Sequence, residues 1–167
     1  MVHSNIMRIA YSLGSLLSVN QVLECSEMLS KTNVESIWVP ETWGMENFSM
    51  LGAVANKTLT QKIGSSIINI YSRSPSTISM GAATIDILSN GRLVLGLGTS
   101  SGPIVEDFHG EKFENPVERM REYVEIIRLA LTKKQINYSG KIFNLKNFTL
   151  LIEPKRQLIP IYLAAIN

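Results

Sequence analysis

Apolar and polar positions along this chain alternate between two periods. Ile6–Tyr11 (IMRIAY) is a short apolar run ended by the Ser12–Gly14 turn, and it predicts a strand. Ser18 and Gln21 then stand at capping-box spacing, where each side chain can satisfy a free backbone N–H at the other residue. Val19, Val22, Leu23 and Leu29 follow at helical spacing. Ser36–Val39 (SIWV) predicts a second strand, with a polar stretch over Pro40–Asn47, and Phe48–Thr58 a short helix with Met50, Leu51, Val54 and Ala55 on one side. Lys62–Ile68 is rich in β-branched residues and predicts a third strand, closed by the Asn69–Ser74 loop. Pro75 can open a helix at its first position, where the missing N–H costs nothing, and Ser76–Leu88 carries Ala82 and Ala83, small enough to lie close to a sheet. Asn90-Gly91 ends that helix, and Arg92–Leu97 (RLVLGL) is the fourth strand.

Strands therefore begin near residues 6, 36, 62 and 92. Repeats of about 30 residues are the period of βα units, whose strands are parallel because a helix follows each. After Gly98 the cadence slows into a long loop, Thr99–Glu114, rich in Gly and polar residues. Asn115, Pro116 and Glu118 supply an N-cap, a first-position proline and a capping-box acid, and Val117, Met120, Val124, Ile127 and Leu131 hold one face of the helix they open. Asn137–Leu151 sets Ser139-Gly140 between β-favouring runs, a hairpin excursion, and Pro160–Ala165 (PIYLAA) is the fifth strand. Five parallel strands fit an open doubly wound sheet or part of a closed (β/α)₈ barrel, which when complete needs about 250 residues. The strand-end residues tip the choice to a partial barrel, with residues 1–167 forming a single domain unbroken by linker or low-complexity sequence.

Composition narrows the function classes. Apolar residues make up 45% and charged residues 18%, a globular balance, and the net charge is only +2 with 16 scattered basic residues. No basic stripe points to nucleic acid or a membrane surface. One cysteine, Cys25, rules out an internal disulfide, and two histidines, His3 and His109, leave no expected metal site. No run approaches the roughly 18 apolar residues of a membrane span, and Met1–Asn5 is too short for a signal peptide, so the expected location is the cytoplasm.

Ligands of parallel α/β folds bind at the carboxyl ends of the strands, which directs attention to four loops. Pro40-Glu41-Thr42-Trp43-Gly44 places an acid directly after a buried strand and a tryptophan able to stack on a flat ring; the alternative is a solvated acid with a tryptophan covering the loop. Gly96–Gly102 (GLGTSSG) can aim several N–H groups at phosphate oxygens, or can be a plain tight turn. His109 is a general-base candidate with no partner identifiable in sequence, and Arg73, between two serines, can meet an anion or lie on the surface as an ordinary arginine. Met45, Met50 and Met80 read as core filler, and Glu118, Arg119, Arg121, Glu122 and Glu125 as a solvated helix face with Glu–Arg pairs.

Over these segments the sequence resembles the luciferase-like superfamily, in its deazaflavin (coenzyme F420)-dependent oxidoreductase branch, and within it the methylenetetrahydromethanopterin reductases. The matching stretches are SIWVPETWGMENFSML, KIGSSIINIYSRSPSTISMGAATIDILSNGRLVLGLGTSSG, VEDFHGEKFENPVERMREYVEIIRLAL and IPIYLAAI. The resemblance implies that Glu41 is the acid beside the deazaflavin ring and the candidate catalytic residue. Thr42 stands where sugar-phosphate and alcohol dehydrogenases of the branch often carry histidine, which argues against those substrates. It implies a bulge with a non-prolyl cis peptide near Ser66-Ile67, Asn69 close by, and contacts to the cofactor's phosphate side from Gly98, Thr99 and Ser100. Ser101 replaces a glutamate that is catalytic in some relatives.

The implied chemistry is hydride transfer between coenzyme F420 and a small organic or pterin-like substrate, with FMN and oxygen chemistry as the alternative. The resemblance also implies that this is the N-terminal half of a barrel, lacking strands six to eight. The half-barrel is then expected to be a truncated or split enzyme, a homo-oligomer or a partner of a complementing C-terminal half chain, or a non-catalytic descendant that associates with another chain.

Overall fold

A computed structural model describes residues 8–132 and 135–165. A parallel sheet with helices on one side forms part of a (β/α)₈ barrel. Its elements are β1 (Ala10–Ser12), α1 (Val19–Ser30), β2 (Ser36–Val39), α2 (Asn47–Lys57), β3 (Lys62–Ser65), β4 (Ile68–Asn69), α3 (Pro75–Leu88) and β5 (Leu93–Gly98). A π-helical turn (Ile104–Phe108) follows, then α4 (Pro116–Thr132), the hairpin strands β6 (Ile136–Ser139) and β7 (Asn144–Phe148), and β8 (Ile161–Leu163).

β3 and β4 are two pieces of one barrel strand, since both pair with β5, so the five barrel strands lie side by side in chain order. Gly64 pairs with Val94 and Ile68 with Leu97, so three residues of the third strand face two of the fourth: a one-residue bulge. The Ser66–Ile67 peptide inside it is cis. The Ser65 hydroxyl bridges the interrupted ladder, accepting from the Gly96 N–H and donating to the Gly96 carbonyl, each at 2.8 Å. The expected uninterrupted strand over Lys62–Ile68 is thus divided where the resemblance sets its bulge.

Alternation sorts the side chains. Ile37, Val39, Ile63, Leu93, Leu95 and Leu97 are buried under the helices. Trp38, Gly64, Gly96 and Tyr162 line the concave face, where the Trp38 ring lies on Gly64 and 5.7 Å from the Tyr162 ring. Neighbouring helices pack in sequence, α1 on α2, α2 on α3 and α3 on α4. Ser18 and Gln21 form the expected capping box, and Ala82 and Ala83 are fully buried. At the amino ends of the strands the Arg92 guanidinium donates to the carbonyls of Ala55, Thr58, Gln61 and Ser89, and buried Asp86 holds Arg156 at 2.6 Å.

Several expectations need correction. The first strand covers Ala10–Ser12 among the described residues; Ile6 and Met7 of the expected run lie outside them. Thr99–Glu114 is not all loop, because it holds the π-helical turn. Asn115 has a left-handed φ of 49°, not the extended backbone of an ordinary N-cap. Val117 is 83% and Met80 53% exposed, so neither is core. Glu122 is no part of a solvated face. Fully buried, it accepts hydrogen bonds from the backbone N–H groups of Lys141, Ile142 and Phe143 in the hairpin turn. Arg119 lies over the rings of Tyr71 and Phe143, at 4.5 and 5.1 Å, while Arg121 does pair with Glu118 and Glu125 as expected.

Candidate active site at the carboxyl ends of the strands

The carboxyl ends of β2, β4 and β5 face a cleft of about 210 Å³. Its lining brings together Glu41 and Thr42 after β2, Ser66, Ile67 and Asn69 from the bulged strand, and Ser100 after β5, closed by Ile104 and His109. Six of the eight residues expected at a cofactor site therefore share one surface. Gly98 lies beneath it: a Cβ there would collide with the Ile67 side chain, so glycine lets that side chain lie across β5. Thr99 is outside the lining, its hydroxyl turned to the Ser100 carbonyl at 3.4 Å. Ser100 has a left-handed φ of 59°.

The floor carries unused polar groups. Asn69 is 5% exposed; its Oδ1 accepts from the Tyr71 N–H at 2.9 Å, while its Nδ2 has no partner among the described residues. The Ser66 hydroxyl is buried and likewise unpartnered. Buried polar groups without partners are costly, so a donor and a hydroxyl left free beneath an open cleft mark a surface suited to a polar ligand. A flat heterocycle with hydrogen-bonding edges fits that surface, with Ile67 offering an apolar face.

A second cleft of about 310 Å³ adjoins the first and shares Glu41, Thr42 and His109 with it. Here Arg73 is not a free surface arginine. Its guanidinium grips both Glu41 oxygens, at 2.5 and 2.7 Å, and reaches Glu46 at 2.5 Å; the Arg73 and Glu41 side chains are only 16% and 12% exposed. Glu41 also accepts from the Asn47 N–H at 2.9 Å, so the side chain is held in place from two directions. Glu46 caps α2 through the N–H groups of Phe48 and Ser49. Burial opposes its charge, but the bonds from Ser49 and Phe48 and the nearby Arg73 outweigh that and hold its carboxyl below the usual range. Glu41 raises the basicity of Arg73 further. The Tyr123 hydroxyl, reaching from α4, donates to the Arg73 carbonyl.

Trp43 is 70% exposed, edge-on to Phe108 at 6.3 Å, and Phe108 contacts the His109 ring at 4.9 Å. The π-helical turn thus brings His109 back over the strand ends, which spacing alone did not reveal. Glu46 could be found in sequence as an acid immediately before a helix. For Arg73 the signal was a cation between two serines in a strand-end loop, able to meet an anion.

In (β/α)₈ barrels ligands bind at the carboxyl ends of the strands, which is where this cleft lies. The chain belongs to the luciferase-like monooxygenase family, whose family model matches residues 6–167. It is 38% identical over 129 residues to the 5,10-methylenetetrahydromethanopterin reductase of Archaeoglobus fulgidus, covering 77% of this chain and 38% of that protein. It is 27% identical over 157 residues to an F420-dependent glucose-6-phosphate dehydrogenase of Amycolatopsis mediterranei, covering 86% and 47%. The coenzyme F420-dependent tetrahydromethanopterin reductase of Methanopyrus kandleri shares the fold, with TM-score 0.86 and 21% identity over 95% of this chain and 50% of that one. The chain spans half or less of the length of these relatives. No helix among the described residues is long and apolar enough to cross a membrane.

Proposed function

We propose that the cleft binds the ring of coenzyme F420 and that the protein serves an oxidoreductase moving hydride to or from a small organic or pterin-like substrate. The observation that carries this reading is the bulged third strand, which sets Ile67 and the unpartnered Ser66 hydroxyl and Asn69 amide under the cleft. F420-dependent relatives favour the deazaflavin over FMN. When bound, the deazaflavin supplies two-electron hydride chemistry. The chain's own residues would bind and orient it: Ser66, Ile67 and Asn69 would line the side of the cleft that takes the ring, and Ser100 with Gly98 and Thr99 the side that takes the phosphate. Glu41, tied to Arg73, would present a carboxylate held in place beside the ring; Thr42 and His109, which line both clefts, would face substrate.

Catalysis belongs to the completed barrel. The described residues carry five barrel strands, and eight close a barrel. Its completion is expected from a complementing half chain or from another copy of this one. Fluorescence titration with coenzyme F420 and with FMN tests the reading. Saturable binding of F420, weakened in Ser66→Ala and Asn69→Ala, is expected; binding of neither, with the complementing half supplied, overturns it.

A further inference from the structure

We propose that Arg73 is a positioning residue that holds the segment Thr42–Met45 against the mouth of the cleft by clamping the carboxylates at its two ends. Glu41 precedes the segment and Glu46 follows it, and one guanidinium reaches both. Between them, Thr42, Trp43, Gly44 and Met45 make no hydrogen bond among the described residues. What else fixes them is Met45 packed on the core and the Trp43 edge contact with Phe108. The clamp itself is anchored: the Arg73 carbonyl accepts from Tyr123, and its guanidinium sits 5.7 Å from the centre of the Phe48 ring. The planar fork matters here, because a single ammonium cannot span both oxygens of Glu41 and one of Glu46. Capping of α2 does not need Arg73, since Glu46 bonds Phe48 and Ser49 directly. The segment this arginine ties is the one that presents Thr42 to both clefts and Trp43 to the second.

The inference deepens the cofactor-site reading, and its test separates the two. In a Trp38→Phe background Trp43 is the single tryptophan, and its fluorescence anisotropy reports the segment without any ligand. Arg73→Gln and Arg73→Lys are expected to lower that anisotropy equally, with far-ultraviolet circular dichroism unchanged. Both should weaken F420 binding about tenfold, the equivalent of one lost charge-assisted bond. Glu46→Gln, which leaves the Glu41 fork intact, gives a smaller effect on both. Unchanged anisotropy in Arg73→Gln overturns the inference, as does full rescue by lysine. Should Arg73→Gln fail to fold, Arg73→Lys and Glu46→Gln decide. If the parent chain binds no F420, the functional reading falls and the anisotropy arm still judges the clamp.

Discussion

Replacing Glu122 by glutamine changes one atom of a fully buried side chain, and the consequence follows from where its oxygens point. Oε1 accepts from the Lys141 N–H at 2.7 Å and Oε2 from the Phe143 N–H at 2.9 Å, while the Ile142 N–H lies 3.2 and 3.3 Å from the two. A hydrogen bond to a charged acceptor contributes about 1.5–3 kcal/mol and a neutral one about 0.5–1.5, so the retained oxygen loses about 1 kcal/mol. The new NH₂ faces backbone donors, leaving at least one N–H unpaired at about 1–3 kcal/mol. Since the turn is half-exposed, water offsets part of this. The sum is about 2–3 kcal/mol. With a urea dependence of about 2 kcal/mol per molar, the unfolding midpoint falls by about 1–1.5 M. Urea titration followed by circular dichroism measures it, with Glu125→Gln as control. Glu125 is 43% exposed, pairs with Arg121 at the surface and accepts from the Tyr138 hydroxyl; the glutamine oxygen can still accept that bond, so the change costs about 1 kcal/mol or less. A Glu122→Gln midpoint within about 0.3 M of the parent, or a control equally damaging, refutes the account of the buried carboxylate as the hairpin's anchor.

Gly96→Ala places a methyl group on the Ser65 carbonyl, a backbone atom that cannot swing aside, so thermal melting should show a large loss, whereas Gly14→Ala, with open space around it, leaves the midpoint unchanged. Hydrogen bonds from Arg8 and then Lys62 hold the Glu35 carboxyl down to about 2. A depressed folded value means that its contribution is complete above the ordinary 4.5 and is lost as pH falls from there toward 2; NMR titration should show this, and Arg8→Ala should move the midpoint up. Burial, and then its 2.6 Å bond to Glu125, push the Tyr138 hydroxyl up to about 12. A raised value means stability present below pH 10 and lost between 10 and 12; tyrosinate absorbance should lose a component titrating near 12 in Tyr138→Phe.

The barrel strands were legible because parallel strands buried on one side by helices and turned at a regular interval leave apolar runs such as RLVLGL at even spacing. The hairpin was legible in Ser139-Gly140. Helix faces were less so: Glu122 sits among charged neighbours in sequence, and only the hairpin turn folding back onto α4 gives it a buried partner. Arg119 is hidden for the same reason, its stacking rings coming from residues 71 and 143. At the cleft, Glu41 and the bulge near Ser66-Ile67 were readable through family likeness. Arg73 stood out as able to meet an anion, but its partners did not, because the two carboxylates lie 32 and 27 residues away. His109 reaches the cleft through a π-helical turn, which carries no clear periodicity.

Strand order in the sheet repeats strand order in the chain, and this bears on how the protein is made. Ala10 meets Ser36, Ser36 meets Lys62, Ile63 meets Leu93 and Leu95 meets Ile161, separations of 26, 26, 30 and 66 residues. Each strand after the first thus finds its template already built, and the first three connections are short enough to close at modest entropic cost. Four barrel strands and the residues of the cleft floor can assemble before the hairpin is translated. β8 joins last, and its outer edge is the surface on which any later strand would be added. Growth in one direction along the sheet makes the direction of synthesis the direction of assembly.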